Sequence, residues 1–209
     1  MNCVAPGAVD RKLRALFDGI EALYQTRSGL DPADVVQRVA DGPRETLLLR
    51  EDDDALRVAL VFGDDTLRLL EHRSLDEALS DAGLGESLPV LEGLSHLAYM
   101  AEAARCERPV SGLELETQAE VDKLALVLLH RWPTSASTFE QLVERLYVRF
   151  ELLPGPAELQ QRYLAANRIA LRFARALRES VRAQRISELR ATLRRFWSRD
   201  MDGKRALAA

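Results

Sequence analysis

The chain has 209 residues, of which 47% are hydrophobic and 30% are charged, so its composition is globular and not that of a disordered protein. Its 29 basic and 33 acidic residues give a formal net charge of -4, which argues against a uniformly basic nucleic-acid binder. No apolar run approaches the roughly 20 residues of a membrane span, and the first residues lack the pattern of a secretory signal. Cys3 and Cys106 form no metal-spaced pair, so we expect free thiols and a cytoplasmic protein without membrane contact.

The N-terminal part of the chain predicts an amphipathic helix followed by short strands. Apolar residues recur at helical spacing over 9–26, and Asp31-Pro32 is typical of the start of a short helix that runs to about Ala40. Tight acidic turns, the first of them at 51–54, separate the apolar runs that follow. These runs lie at 46–49, 56–62 and 66–70. They predict an antiparallel meander of three strands.

From Ser74 onward the pattern predicts only helices. Capping boxes are expected at three serines. They are Ser74 with Glu77, Ser111 with Glu114, and Ser137 with Glu140. Pro89 is expected to open a central helix that runs to about Arg105. The apolar pattern over 157–199 changes phase near Gln184, so this segment forms either one bent helix or two helices.

The predicted fold class is α+β and predominantly helical, a helical bundle with a small three-stranded antiparallel β-meander. We expect a single domain over 1–199. It contains an N-terminal subregion at 1–88, with the first helix and the meander, and a helical bundle at 89–199. Residues 200–209 are expected to form a flexible tail.

The helix after Pro89 is apolar almost all the way round, so its few polar residues are informative. Glu92, His96 and Tyr99 lie at positions i, i+4 and i+7 on one face, and a glutamate one turn before a histidine can accept its proton. If the next helix runs antiparallel, Glu116 or Glu120 would meet His96. The resulting buried polar cluster is either a satisfied structural network or an acid/base or metal site.

The small net charge hides a strong asymmetry along the chain. Residues 161–209 carry thirteen basic and four acidic side chains, a net charge of +9, which leaves -13 for the first 160 residues. The arginines concentrate on one face of the long helix and its border. They are Arg168, Arg172, Arg175, Arg178, Arg182 and Arg185. This face either pairs with the chain's own acidic residues, contacts a phosphate backbone, or docks onto an acidic protein partner.

No nucleotide-binding, zinc-protease, hydrolase or CxxC redox motif occurs in the sequence, so we expect no cofactor, no resident metal and no assigned catalytic residue. The sequence favours a non-enzymatic intracellular interaction or regulatory protein, an adaptor or inhibitor that binds a protein partner through surface helices. The alternatives are a nucleic-acid-associated protein that uses the Arg-rich helix, and a small metal-dependent hydrolase with a His/Glu site. A late apolar stripe of Leu193, Phe196 and Trp197 also makes a homo-oligomer plausible.

Overall fold

The computed structural model describes residues 7–52, 55–152 and 154–209. Cys3 and residues 53–54 of the predicted acidic turn lie outside the described residues. The chain divides into two compact units, Met1–Glu107 and Arg108–Ala209. From the sequence, the boundary between two subregions is expected between residues 88 and 89. In the structure, the helix Leu84–Arg105 packs on the sheet and so belongs to the first unit. A single cooperative domain over 1–199 stays a prediction.

The first unit combines helices with a small sheet. Its elements are α1 (Ala8–Tyr24), α2 (Pro32–Val35), β1 (Val36–Val39), β2 (Thr46–Asp52), β3 (Ala55–Gly63), α3 (Asp64–His72), α4 (Leu75–Ala78) and α5 (Leu84–Arg105). Helix α5 contacts α1, α3, β2 and β3, so it forms the centre of this unit. Its apolar residues face neighbours on several sides, which is why the segment has no single hydrophobic stripe.

The sheet is mixed, with strand order β1-β3-β2. β2 runs antiparallel to β3 with Leu47 opposite Leu60, and β1 runs parallel to β3 with Val36 also opposite Leu60. The predicted fold class, α+β and predominantly helical, is therefore confirmed. The purely antiparallel meander is wrong, because residues 36–39 form a strand in place of a helix and residues 64–72 form a helix in place of a strand.

Both differences have local causes. Asp64 and Asp65 occupy the first turn of α3, where the helix dipole favours carboxylates, and the leucines that follow are good helix formers. A short apolar run does not by itself distinguish a strand from a buried turn of helix. In β1, Val36 and Val39 are β-branched and favour the extended backbone once the sheet is available.

Among the described residues of the second unit, all regular elements are helices. Its elements are α6 (Gly112–His130), α7 (Ala136–Val143), a π-helical segment (Glu144–Val148), α8 (Ala157–Arg182), α9 (Ile186–Trp197) and α10 (Met201–Leu207). Gln184 adopts a left-handed backbone conformation with φ of 54°, so the phase shift in the sequence marks the end of one helix and the start of another. Residues 201–207 are helical where a flexible tail was expected, because Asp200 caps α10 by accepting from the Gly203 amide at 2.9 Å.

The structure confirms some of the predicted helix caps and helix starts but not others. The capping box at Ser74 and Glu77 is confirmed. At Ser111 only the serine half forms, since the Glu114 carboxylate binds Arg108 instead. The predicted box at Ser137 is displaced, because Ser135 caps α7. Helix α5 begins at Leu84, so Pro89 lies inside it.

The late apolar stripe is buried in the second unit. Leu193 and Phe196 are fully buried, Trp197 nearly so, and the Phe196 ring lies 4.0 Å from the Phe173 ring between centroids. The stripe therefore needs no partner chain to cover it, and the homo-oligomer stays a prediction. Over the described ranges, no helix combines the length and apolar character needed to cross a membrane.

Candidate functional site

Helix α8 carries five of the six predicted arginines and packs on its neighbours through its opposite face; Arg185 lies after the end of α8, at the start of α9. Ala166, Ala170 and Ala174 recur every four residues and are fully buried, together with Phe173 and Leu177. Small side chains at this spacing let helices approach closely, and α8 contacts both α6 and α7. Because this face is buried, the opposite side of the helix faces solvent, and the arginines on that side are exposed.

Two of the six predicted arginines pair within the chain. Arg178 binds Glu140 through both carboxylate oxygens, with Nε to Oε1 at 2.5 Å and Nη2 to Oε2 at 2.8 Å, which raises the pKa of Arg178. Arg185 binds Glu188 with Nε to Oε2 at 2.5 Å, which lowers the pKa of that carboxyl. For these two residues the interpretation as intramolecular ion pairs holds.

The other four arginines differ from this pair. They make no hydrogen bond or ion pair with any residue in the part of the chain that the structure describes. We call them the α8 arginine face: Arg168, Arg172, Arg175 and Arg182. From Arg168 to Arg182 the face spans 15 residues, or about 21 Å along the helix axis. It is a concentrated positive surface whose four guanidinium groups form no ion pair with a described residue.

The surroundings of the α8 arginine face are mixed in character. Leu164 and Leu171 lie on its border, seven residues apart, and each is half-buried. Glu179 lies within the face itself, is 72% exposed at its side chain and contacts Arg185 at 3.9 Å. Apolar side chains next to a charged face are typical of protein interfaces, which combine an apolar centre with a polar rim.

His96 is buried in the first unit, at 5% exposure. Its Nδ1 lies 3.3 Å from Oε1 of Glu45, in the segment just before β2. Glu92, the partner that helical spacing suggests, is half-buried, and Tyr99 is buried. No spacing rule points from His96 to Glu45, because strand β3 and its pairing with β2 bring the two together from 51 residues apart.

Glu116 and Glu120 lie on α6 of the second unit and have partners there. Oε1 of Glu116 lies 3.5 Å from Nη2 of Arg162, and Oε1 of Glu120 accepts from Nζ of Lys123 at 2.7 Å. The Tyr147 hydroxyl donates to the Glu120 carbonyl at 2.9 Å. The pairing of Glu120 with Lys123 agrees with a structural role for that carboxylate. That either glutamate meets His96 stays a prediction.

The sequence did not indicate a buried lysine in α10. Lys204 is fully buried, and its Nζ donates to Oε1 of Gln118 at 2.6 Å and to the Phe196 carbonyl at 2.7 Å. Gln118 in turn donates from Nε2 to Oδ1 of buried Asp122 at 2.8 Å. Burial lowers the pKa of Lys204 to about 7. The network fixes α10 to α6, and its hydrogen bonds are satisfied within the unit.

A cleft of about 410 Å³ opens in the first unit beside the start of α1. Its apolar wall is formed by Val9, Leu13, Val36 and Leu67. The guanidinium of Arg38 also lines it but is held by Asp64 and Glu71, so its charge is neutralised. The cleft therefore presents no unpaired cation to a ligand.

Comparisons with protein-family models, with characterised proteins and with solved structures found no match to this chain. Its function is therefore inferred from its own residues. Among the residues that the sequence singles out, the α8 arginine face is a set of exposed charges without ion-pair partners in the described part of the chain.

Proposed function

We propose that this protein is a non-enzymatic interaction protein, an adaptor or inhibitor, that binds an acidic protein partner through the α8 arginine face. The observation that carries the proposal is the set of four exposed arginines that no described acidic residue neutralises. The neighbouring arginines are paired within the chain, Arg178 with Glu140 on α7 and Arg185 with Glu188 three residues further on. The planar guanidinium binds carboxylates through two parallel hydrogen bonds, which suits an acidic surface.

Two features favour a protein partner over a nucleic acid. Leu164 and Leu171 border the face and offer apolar area that a phosphate backbone does not use. Duplex binding gains much of its free energy from many phosphate contacts, whereas the α8 arginine face offers four cations with Glu179 among them. The exposed, free Cys106 agrees with the reducing cytoplasm as the place of action.

The proposal is tested by reversing charges in the full chain. We expect Arg172→Glu/Arg175→Glu to weaken binding of a fluorescent polyglutamate peptide at least tenfold at 20 mM salt. The matched control is Arg27→Glu/Arg44→Glu, which changes the net charge equally at exposed arginines of the first unit. Fluorescence anisotropy measures both, with a random 20-base-pair duplex as the competing ligand.

Three results are distinguishable. Loss of peptide binding in the α8 variant with retention in the control supports the proposal. Equal losses in both variants would mean that only the overall charge matters, and the proposal fails. Tighter binding of the duplex than of the peptide would favour the nucleic-acid alternative instead.

A further inference from the structure

Leucines and arginines along the exposed side of α8 follow a heptad spacing. Starting from Leu164, the steps between consecutive members are four and three residues in alternation. The series is Leu164, Arg168, Leu171, Arg175, Arg178 and Arg182. Alternating steps of four and three produce the seam along which one helix packs on another in a coiled coil.

The seam has two kinds of position. Leu164 and Leu171 are half-buried apolar side chains one heptad apart, and Arg168, Arg175 and Arg182 repeat at the same interval beside them. Seven residues correspond to about 10.5 Å along a helix. A straight helix drifts by only about 20° per heptad, so all these side chains stay within one narrow stripe.

The intramolecular ion pairs mark where this seam changes. Arg178 continues the heptad position of Leu164 and Leu171, but it is bound to Glu140. Arg185 lies beyond the end of α8 and is bound to Glu188. The arginines beside them remain unpaired over the described chain. The seam therefore offers apolar contact near the start of α8 and three evenly spaced cations along its length.

We propose that the partner on the α8 arginine face is an amphipathic helix with a Glu or Asp at every seventh residue beside an apolar stripe. This inference rests on the proposed function and names the class of its partner. A helix of this kind places one carboxylate opposite each of Arg168, Arg175 and Arg182 and inserts an apolar side chain between Leu164 and Leu171. An extended acidic tail gains nothing from the repeat, because its residues advance by about 3.3 Å.

The test compares two 28-residue peptides of identical composition against the full chain. In the first, Glu and Leu follow the heptad pattern on one helical face; in the second, the same residues are distributed around the helix. Circular dichroism confirms equal helicity, and calorimetry at 50 mM salt measures the dissociation constants. We expect the patterned peptide to bind at least tenfold more tightly.

Variants of the full chain locate the contact. Leu164→Ala/Leu171→Ala is expected to remove most of the advantage of the patterned peptide and to leave the scrambled peptide unaffected. The control is Ile169→Ala, a half-buried apolar residue on the other border of the face. Equal affinity of the unmodified chain for both peptides would overturn the helical partner and leave the proposed function standing. Absence of binding by either peptide would overturn both.

Discussion

Lys204 illustrates how a single residue can escape a pattern-based prediction. Lysine is among the residues least often fully buried, and nothing in the local sequence distinguishes it from a solvated tail residue. The structure shows it to be fully buried against Phe196 and Gln118, with Asp122, Glu114, Arg108 and Asp200 as the charged groups around it. Such a group links the stability of the unit to pH.

The sign of this dependence follows from the pKa of Lys204, which burial lowers from 10.5 to about 7. Between these values the unfolded chain binds more protons than the folded chain, so stability rises with pH in this window and is independent of this group below it. We expect the free energy of unfolding to rise by about 2 kcal/mol more between pH 7 and 9 in the natural chain than in Lys204→Met. Urea titrations measure it.

Arg205→Met is the control for this prediction, since Arg205 is exposed on the same helix. It should retain the rise of the natural chain. If Lys204→Met shows the same pH dependence as the natural chain, the lysine does not titrate in this range.

Gly93 is a second residue whose identity is dictated by its surroundings. A Cβ at this position would lie 2.8 Å from Leu60 Cδ1 and 2.9 Å from Phe62 Cζ, both fully buried side chains of β3. We expect Gly93→Ala to lower the free energy of unfolding by about 1–2 kcal/mol, because the cost of overpacking exceeds the gain in helix propensity. At Gly155 the nearest atom would be 3.9 Å away, so Gly155→Ala should be close to neutral in the same denaturant titrations. An unchanged Gly93→Ala would show that α5 can move away from the sheet.

At the scale of elements, periodicity and caps predicted the long helices well and the short elements poorly. The helices α1, α6 and α8 have sustained apolar patterns and clear boundaries, so their positions followed from local signals. β1 and α3 are short, and their backbone is decided by pairing and packing with distant segments. Four of the six arginines were predicted to share a face, with Arg178 and Arg185 on its border. The pairing of Arg178 with Glu140 depends on a tertiary contact, whereas Glu188 lies three residues from Arg185.

The cap of α10 provides a test at this scale. Asp200 accepts from the Gly203 amide, so Asp200→Ala is expected to lower the free energy of unfolding by about 1 kcal/mol. Asp202→Ala is the control, because its side chain is 90% exposed and its Oδ1 lies 3.2 Å from Nη1 of Arg205, which is also exposed. Its effect should stay within about 0.5 kcal/mol. Equal effects of the two substitutions in denaturant titrations would contradict the assignment of Asp200 as the cap.

At the scale of the whole molecule, the two units carry net charges of opposite sign. The first unit carries 11 basic and 21 acidic residues, a net charge of -10, and the second carries 18 basic and 12 acidic residues, a net charge of +6. The net charge of -4 describes neither unit, and local fields govern which ligands approach.

This division predicts retention of the full chain on both anion and cation exchangers at pH 7 and low salt. Arg172→Glu/Arg175→Glu should elute at clearly lower salt from the cation exchanger, since it removes the densest positive surface, whereas Arg27→Glu/Arg44→Glu should change that elution little. Salt-gradient chromatography compares the variants. A common shift for both variants would mean that the exchanger responds to total charge alone.

The unequal ends of the α8 surface have a consequence for orientation. Leucines border its beginning, and Glu179 interrupts the cations near its end. A bound helix whose apolar stripe matches one end and whose carboxylates match the other loses both matches when it is turned around. For the proposed helical partner we therefore expect one alignment, parallel or antiparallel, to bind more tightly than the other, and we expect a ligand with symmetric charge to show no such preference.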